Sequence, residues 1–203
     1  MITQKQLQIF EIFAKKPFAE FTRKEIKKES KCTSNNTLAL AINLLKKEDV
    51  LLEKKIGNSG ILTLNLNNDL TFDYIALCNH KRVSSLPLEI LKEEIGEETH
   101  FYSMVIFGSY ASGKQKKESD LDIALFVERK EVLKKIEALA NSAKLKSSLA
   151  MDIHVIPKAE MIEMLTNKEE NLGKQIARKH LTAFNHRIFY DILKEGMDHG
   201  FRI

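Results

Sequence analysis

Residues 107–127 read FGSYASGKQKKESDLDIALFV, and this stretch predicts the fold of the second half of the chain. An apolar strand ending in VIF stops at the turn Gly108-Ser109, and after a polar loop a second strand begins with Asp120 and Asp122. Residues i and i+2 of a strand share a face. The two carboxylates are therefore expected to point the same way, with their backbones roughly 7 Å apart.

Two carboxylates placed in this way repel each other unless a cation lies between them. Mg²⁺ takes oxygen ligands and shares them with substrate phosphates, so it suits such a pair. Gly108 lets the backbone approach a ligand closely, while the Ser109 hydroxyl and the amides of a following helix start are suited to phosphate oxygens. The stretch therefore predicts a site for a metal ion and a phosphorylated substrate.

The Gly-Ser pair, a spacer of about ten residues and an Asp-x-Asp that opens a strand resemble the signature of nucleotidyltransferases of the DNA polymerase beta superfamily. Members of that family place a third carboxylate on a neighbouring strand, and the candidate here is Asp152 in the apolar run LAMDIHVI. An ordinary strand-end aspartate is the alternative interpretation of Asp152. His154 shares its face, but a lone histidine is more often a satisfied polar residue, so it is not assigned to the site.

The resemblance implies a minimal nucleotidyltransferase domain that moves a nucleoside monophosphate, AMP as the first choice, from a nucleoside triphosphate such as ATP to a hydroxyl acceptor. Asp120 and Asp122 would bind two Mg²⁺ ions, and Asp152 would bind the ion nearest the acceptor. Gly108 and Ser109 would bind the nucleotide. The acceptor is open between a protein, an RNA and a small molecule.

One position departs from the family pattern. Many members carry Arg three residues after the Ser, where this chain has Ser112. A guanidinium there would clamp phosphates, so its absence puts nucleotide affinity or the usual acceptor in question. Lys114, Lys116 and Lys117 in the following loop either supply the missing charge or form a solvated surface.

Composition limits the protein to an ordinary globular class. Of 203 residues, 43% are hydrophobic and 30% are charged, and no apolar run approaches the length that spans a membrane. The N-terminus lacks the apolar stretch of a signal peptide. Cys32 and Cys78 have no zinc or redox spacing. We expect a cytoplasmic protein with no membrane partner.

Positive charge is concentrated in the first third of the chain. Residues 1–68 hold 12 Lys and Arg against 7 Asp and Glu, a net charge of +5, whereas residues 69–203 hold 20 against 21, a net charge of −1. This asymmetry suggests a module that faces nucleic acid attached to a nearly neutral one.

The order of elements in residues 1–68 resembles the winged helix-turn-helix family, as a match of pattern rather than of motif. Apolar periodicity and capping residues predict helices from about 3 to 15, from 22 to 28 and from 33 to 48. Two strands, LLEKKI and ILTLNL, then form a hairpin through the turn at 57–60.

On the functional interpretation, the third helix enters a major groove with Asn36, Asn43 and Lys47 on its outward face, and Lys54 and Lys55 of the hairpin contact phosphates. DNA is favoured over RNA by analogy of fold alone. The alternative is a solvated surface, with the winged helix packing on a partner protein or forming a homodimer.

The complete prediction is an α+β fold: a winged helix (1–68), a connector helix (69–86) and a small mixed-sheet domain (87–203) with helices packed on one face of the sheet. Predicted strands of the last domain lie at 102–107, 121–127 and 150–156. Its last helix is predicted at 181–195, ended by Gly196, with an edge strand in the tail.

Two functions from different classes follow. In the first, the protein is a transferase whose winged helix binds nucleic acid or regulates it, in the manner of family members that serve as antitoxins. In the second, it is a DNA-binding regulator whose transferase fold senses a nucleotide without turnover. The three predicted carboxylates favour the transferase, because a sensor does not need all of them.

We predict that residues 1–68 bind duplex DNA weakly and electrostatically. Counterion release then makes log affinity fall with log salt, and each phosphate-contacting lysine that is replaced lowers the slope by roughly one unit. Titration of the Lys54→Ala/Lys55→Ala variant at several salt concentrations measures this. An unchanged slope would mean that the hairpin does not contact DNA.

Overall fold

The computed structural model describes residues 2–57 and 59–202, so Asn58 of the predicted turn lies outside the described residues. The chain divides into two compact units, Met1–Cys78 and Asn79–Ile203, and the division falls within one helix. Within the described ranges, we find no helix with the length and apolarity needed to cross a membrane.

The first unit contains helices and a small antiparallel sheet. The strands are ordered β1-β3-β2. Helices α1 to α3 and the hairpin lie where the sequence predicts them, whereas the two-residue strand β1 was not predicted. The elements are α1 (Gln4–Lys15), β1 (Phe21–Thr22), α2 (Arg23–Glu29), α3 (Asn35–Lys47), β2 (Leu51–Ile56), β3 (Ser59–Leu64) and α4 (Asp69–Val83), which continues into the second unit.

Local sequence explains where these helices begin and which side they bury. Thr22 and Glu25 form a reciprocal capping box at the start of α2, which satisfies backbone donors that the helix itself leaves unpaired. Leu38, Ile42 and Leu45 form the predicted apolar stripe of α3 and are buried. The outward face of α3 is therefore the polar one.

The second unit is built on a four-stranded mixed sheet of order β6-β5-β4-β7, in which β5 and β6 are parallel and the other pairs are antiparallel. The α+β class with a small mixed sheet is confirmed. Its elements are α5 (Glu89–Glu98), β4 (Tyr102–Ile106), α6 (Gly108–Ser112), β5 (Leu121–Val127), α7 (Leu133–Lys146), β6 (Met151–Pro157), α8 (Lys158–Thr166), α9 (Leu172–Arg178), β7 (Leu181–Phe184) and α10 (His186–Asp198).

Helices cover both faces of this sheet, so the expectation of helices on one face is wrong. Ile123 and Leu125 of β5 pack in the core shared with Ile136 of α7. Phe126 points to the other face, where its ring lies 5.2 Å from that of Phe189 in α10. Because β4 and β5 are apolar along nearly their whole length, both of their faces must be removed from water.

The prediction of a helix at 181–195 is wrong over its first five residues, because Leu181–Phe184 forms strand β7 against β4 and α10 begins only at His186. An exposed edge of β4 would leave backbone groups unpaired, and β7 satisfies them. Asn185 then takes a left-handed conformation with φ +47°, and its side-chain amide donates to the carbonyl oxygen of Tyr102 at 2.8 Å. This residue separates the strand from α10.

The predicted end of the last helix is also wrong. Gly196 lies inside α10, which continues to Asp198, and a Cβ at Gly196 would approach the side chain of Leu165 to 2.6 Å. Gly196 therefore serves close packing rather than termination. Phe201 and Arg202 are in no strand, so the edge strand predicted in the tail is wrong, and the edge beside β4 is formed by β7.

Candidate functional site

Asp122 and Gly108 are in close contact at the ends of two adjacent strands. Gly108 follows β4, has φ +62°, and a Cβ added to it would lie 2.0 Å from Oδ2 of Asp122. The backbone amide of Ser109 donates to the Asp122 carboxylate. Only glycine fits here, since any side chain would displace the carboxylate and strain the backbone.

The three predicted carboxylates lie at the same end of the sheet. Asp122 and Asp152 are register partners on the parallel strands β5 and β6, so they share a face and their backbones are about 4.8 Å apart. Asp120 comes just before β5 and is exposed, as is Asp152, while Asp122 is half-buried. The structure thus places all three near one end of the sheet, where Asp152 and Asp120 both act on the charge of Asp122, the most enclosed of them.

Burial raises the pKa of Asp122 above its usual 3.8, and the negative charge of Asp152 raises it further. The hydrogen bond from the Ser109 amide acts in the opposite direction, while Asp120 adds to the increase. The folded protein therefore holds Asp122 in a place where its charge is poorly compensated by the chain itself.

Oxygen donors crowded by like charge are the chemistry that a hard divalent cation prefers, so these residues fit Mg²⁺. Among residues 2–57 and 59–202, no three His, Cys, Asp or Glu side chains converge as a formed metal cluster. The assignment of Asp120, Asp122 and Asp152 as metal ligands remains a prediction.

His154, which the sequence analysis set aside, contacts Asp152. Its Nε2 atom lies 3.1 Å from Oδ2 of Asp152, and its ring lies 5.8 Å from that of Phe107. Position i+2 on the same strand face was the signal that pointed to it. His154 is placed to orient the Asp152 carboxylate.

A cavity of about 490 Å³ opens in front of Asp122, and we call it the Asp122 cavity. Phe107 and Gly108 line it beside Asp122, and the remaining lining residues are Gln175, Arg178 and Lys179 at the end of α9. These three residues were not predicted from the sequence, because no motif links the end of α9 to a strand more than fifty positions earlier. The cavity thus has a carboxylate wall and a cationic wall.

Arg178 is held in place by an acidic partner. Its Nη1 atom lies 2.8 Å from each carboxylate oxygen of Glu170. Both side chains are about half exposed, at 46% and 52%, so the pair costs little to separate.

Ser112, the position where many family members have Arg, turns back onto its own helix. Its hydroxyl donates to the carbonyl oxygens of Gly108 and Ser109 at 2.9 and 3.1 Å. Such backbone bonding is common for serine within a helix. Ser112 therefore supplies no charge to the Asp122 cavity.

The residues predicted to bind nucleic acid are all exposed in the first unit. Asn36, Asn43 and Lys47 lie along the outward face of α3. Lys54 and Lys55 are consecutive in β2 and point to opposite faces of the hairpin. The structure groups the three helix residues and separates the two lysines.

Residues 88–179 match a family model described as a nucleotidyltransferase domain. This confirms the resemblance for residues 88–179 at the level of that domain. The winged helix remains a prediction. No curated protein matches the chain.

One solved structure is similar to the chain at a low level: "Crystal structure of the toxin-antitoxin with AMP-PNP". It is 15% identical, the match covers 56% of this chain and 84% of that chain, and the TM-score is 0.35. A similarity this low does not establish a shared fold.

We expect Asp122→Asn to leave the metal-free protein as stable as the wild type or more stable at neutral pH. Because folding raises the pKa of Asp122, the folded state carries the cost of the charged form at all pH values above that raised pKa. As the pH falls through the raised pKa toward 3.8, the folded state takes up the proton first and the cost disappears.

Thermal melts in EDTA from neutral to acidic pH measure this difference. Asp198→Asn, the same change at an exposed position in α10, is the matched control. The advantage of Asp122→Asn should shrink as the pH falls. A midpoint for Asp122→Asn well below that of wild type at neutral pH, with the control unchanged, would contradict the expectation.

Proposed function

We propose that the second unit is a metal-dependent nucleotidyltransferase that moves a nucleoside monophosphate, AMP from ATP in the first instance, to a hydroxyl acceptor. The observation that supports this most is the position of Asp122. Its carboxylate lies against Gly108 and beside Asp152, and it faces a cavity whose far wall carries Arg178 and Lys179. A negatively charged substrate bridged to carboxylates by a cation fits between these walls.

In the reaction, the acceptor oxygen forms a bond to the α-phosphorus, and the bond from that phosphorus to the oxygen of the leaving pyrophosphate breaks. Asp120, Asp122 and Asp152 would hold two Mg²⁺ ions. When bound, Mg²⁺ neutralises charge on the attacking and leaving oxygens.

Asp152 would accept the proton of the acceptor hydroxyl, since it is the most accessible of the carboxylates on a strand. His154 would hold it in the orientation seen in the structure, through the contact of 3.1 Å. Gly108 and the Ser109 amide would keep Asp122 fixed while the nucleotide binds. These roles use only side chains that the fold brings to one end of the sheet.

Arg178 and Lys179 would bind the triphosphate from the opposite wall. They would replace the guanidinium that Ser112 does not provide, so the positive charge would come from α9 rather than α6. Arg suits this task because its planar donors match phosphate oxygens. Glu170 would bind Arg178 in the absence of substrate, and the substrate phosphate would replace Glu170 as its ion-pair partner.

For the first unit we propose nucleic-acid binding through the exposed face of α3. Asn36 and Asn43 have side-chain amides suited to base edges, and Lys47 adds positive charge to the same face. An antitoxin-like role, in which the acceptor is a partner protein, combines both units and is tested by the same labelling experiment as transfer.

We expect Asp120→Asn and Asp122→Asn each to reduce nucleotidyl transfer by about a hundredfold or more, because each removes a metal ligand while keeping the shape of the side chain. The measurement is incubation with Mg²⁺, each labelled nucleoside triphosphate and a cell extract, followed by detection of label on protein or RNA. Asp198→Asn should retain full activity. Tight nucleotide binding by wild type, with no transfer and no release of pyrophosphate, would favour the nucleotide sensor instead.

We expect Arg178→Gln to raise the KM for the nucleoside triphosphate about tenfold, because a charge-assisted contact with phosphate is lost. Glu170→Gln should have a smaller effect, since it frees the guanidinium but keeps its charge. Arg129→Gln, an exposed arginine that follows β5, controls for the loss of one positive charge. An unchanged KM for Arg178→Gln would remove Arg178 from the substrate site.

A further inference from the structure

A second cavity, of about 820 Å³, lies on the other face of the sheet from the Asp122 cavity. Leu181 and Leu149, which line it, belong to the core on the α5 and α7 side, together with Ile123. Asp122 directly precedes Ile123 in β5, so its side chain points to the opposite face of the sheet. The two cavities have no lining residue in common. We call this one the Lys116 cavity.

Unpaired positive charge surrounds the Lys116 cavity. Lys81, Lys116 and Lys117 line it and are exposed, and none of them has an ion-pair partner among the described residues. No carboxylate is among its lining residues. Ammonium groups converging on a space without acidic side chains attract an anion.

Arg82 also lines this cavity but has a structural task. Its Nη2 atom donates to the carbonyl oxygens of Tyr110 and Ala111 at 2.7 and 2.8 Å. These carbonyls belong to the short helix α6, whose last carbonyl groups have no partner within the helix. The guanidinium therefore fixes the wall of the cavity, and the lysines remain available for a ligand.

The rest of the wall is apolar and only partly covered. Tyr110, Leu86, Pro87 and Leu149 are half-buried there, and the amide of Gln115 adds a group that donates and accepts hydrogen bonds. An aromatic ring with aliphatic neighbours is a surface on which a nucleobase stacks. A ligand that satisfies both parts of the cavity has a flat apolar portion and an anionic portion.

We propose that the Lys116 cavity binds a nucleoside phosphate at a site separate from the Asp122 cavity. The base packs on the wall formed by Tyr110 and Leu86, and the phosphate contacts Lys116 and Lys117. The same chemistry is offered by a free nucleotide and by the terminal nucleotide of a nucleic-acid strand. Binding at this site does not depend on transfer at Asp122.

Equilibrium binding of AMP to the full chain in EDTA tests the proposal. Without metal, no cation bridges phosphate to Asp122 and Asp152, so AMP binding that depends on Lys116 and Lys117 reports on the Lys116 cavity. We expect Lys116→Gln/Lys117→Gln to weaken AMP binding about tenfold or more, and adenosine to bind about tenfold more weakly than AMP. Lys81→Gln, a substitution outside the loop, should also weaken AMP binding.

The matched control is Lys134→Gln/Lys168→Gln, which removes two exposed lysines that do not line the cavity and have no ion pair within residues 2–57 and 59–202. It should keep AMP affinity within about twofold, which excludes a general effect of net charge. Equal AMP affinity in wild type and in both Lys116 cavity variants would overturn the proposal, as would equal affinity for AMP and adenosine.

A competition experiment distinguishes the two sources of the ligand. Displacement of AMP by a 5′-phosphorylated single-stranded oligonucleotide, but not by its 5′-hydroxyl form, assigns the cavity to a strand end. Failure of both to displace AMP assigns it to a free nucleotide. Asp152→Asn should bind AMP as wild type does in EDTA. Loss of transfer in that variant with AMP binding intact therefore separates the proposed transfer reaction from this site.

Discussion

The contact between the Asp122 carboxylate and the Cα atom of Gly108 is the constraint on which the second unit depends. It requires glycine at the end of β4, because a Cβ would approach Oδ2 of Asp122 to 2.0 Å. It also requires that α6 begin at once, so that the Ser109 amide reaches the carboxylate. The turn, the short helix and the second strand are thus one arrangement, and the sequence carries it as Gly-Ser followed by Asp-x-Asp.

Charge balance explains why the site needs partners from distant parts of the chain. The fold places Asp122 next to Asp152, and burial makes its negative charge costly. The local sequence compensates this charge only through the Ser109 amide, since Ser112 bonds to its own helix. The positive charge comes instead from Arg178 and Lys179 at the end of α9. This helix follows β6, the strand that carries Asp152, after α8. A metal and a triphosphate together would complete this balance.

The sequence was sufficient for features that rest on local rules. The bounds of β5 were predicted to the residue, because its apolar pattern and flanking residues agree. The shared face of Asp120 and Asp122 stays a prediction, since β5 begins at Leu121, between them. What could not be predicted depends on long-range pairing. Leu181–Phe184 is a strand because β4 needs a partner at its edge, which outweighs the helical spacing of its apolar residues.

The same limit applies to the site. Arg178 and Lys179 have no spacing relation to the aspartates and line the same cavity only through the packing of α9.

Helix α6 shows how long-range contacts position the residues of a site. With five residues it is too short to be stable by itself. Asp122 accepts from its first turn and Arg82 donates to its last carbonyl groups, so side chains on both sides of the sheet hold it. The helix contributes Gly108 to the Asp122 cavity and Tyr110 to the Lys116 cavity, and the loop that carries Lys116 and Lys117 follows its last residue. We expect a substitution at either end of α6 to alter both cavities, because a helix of five residues does not keep its conformation without these contacts.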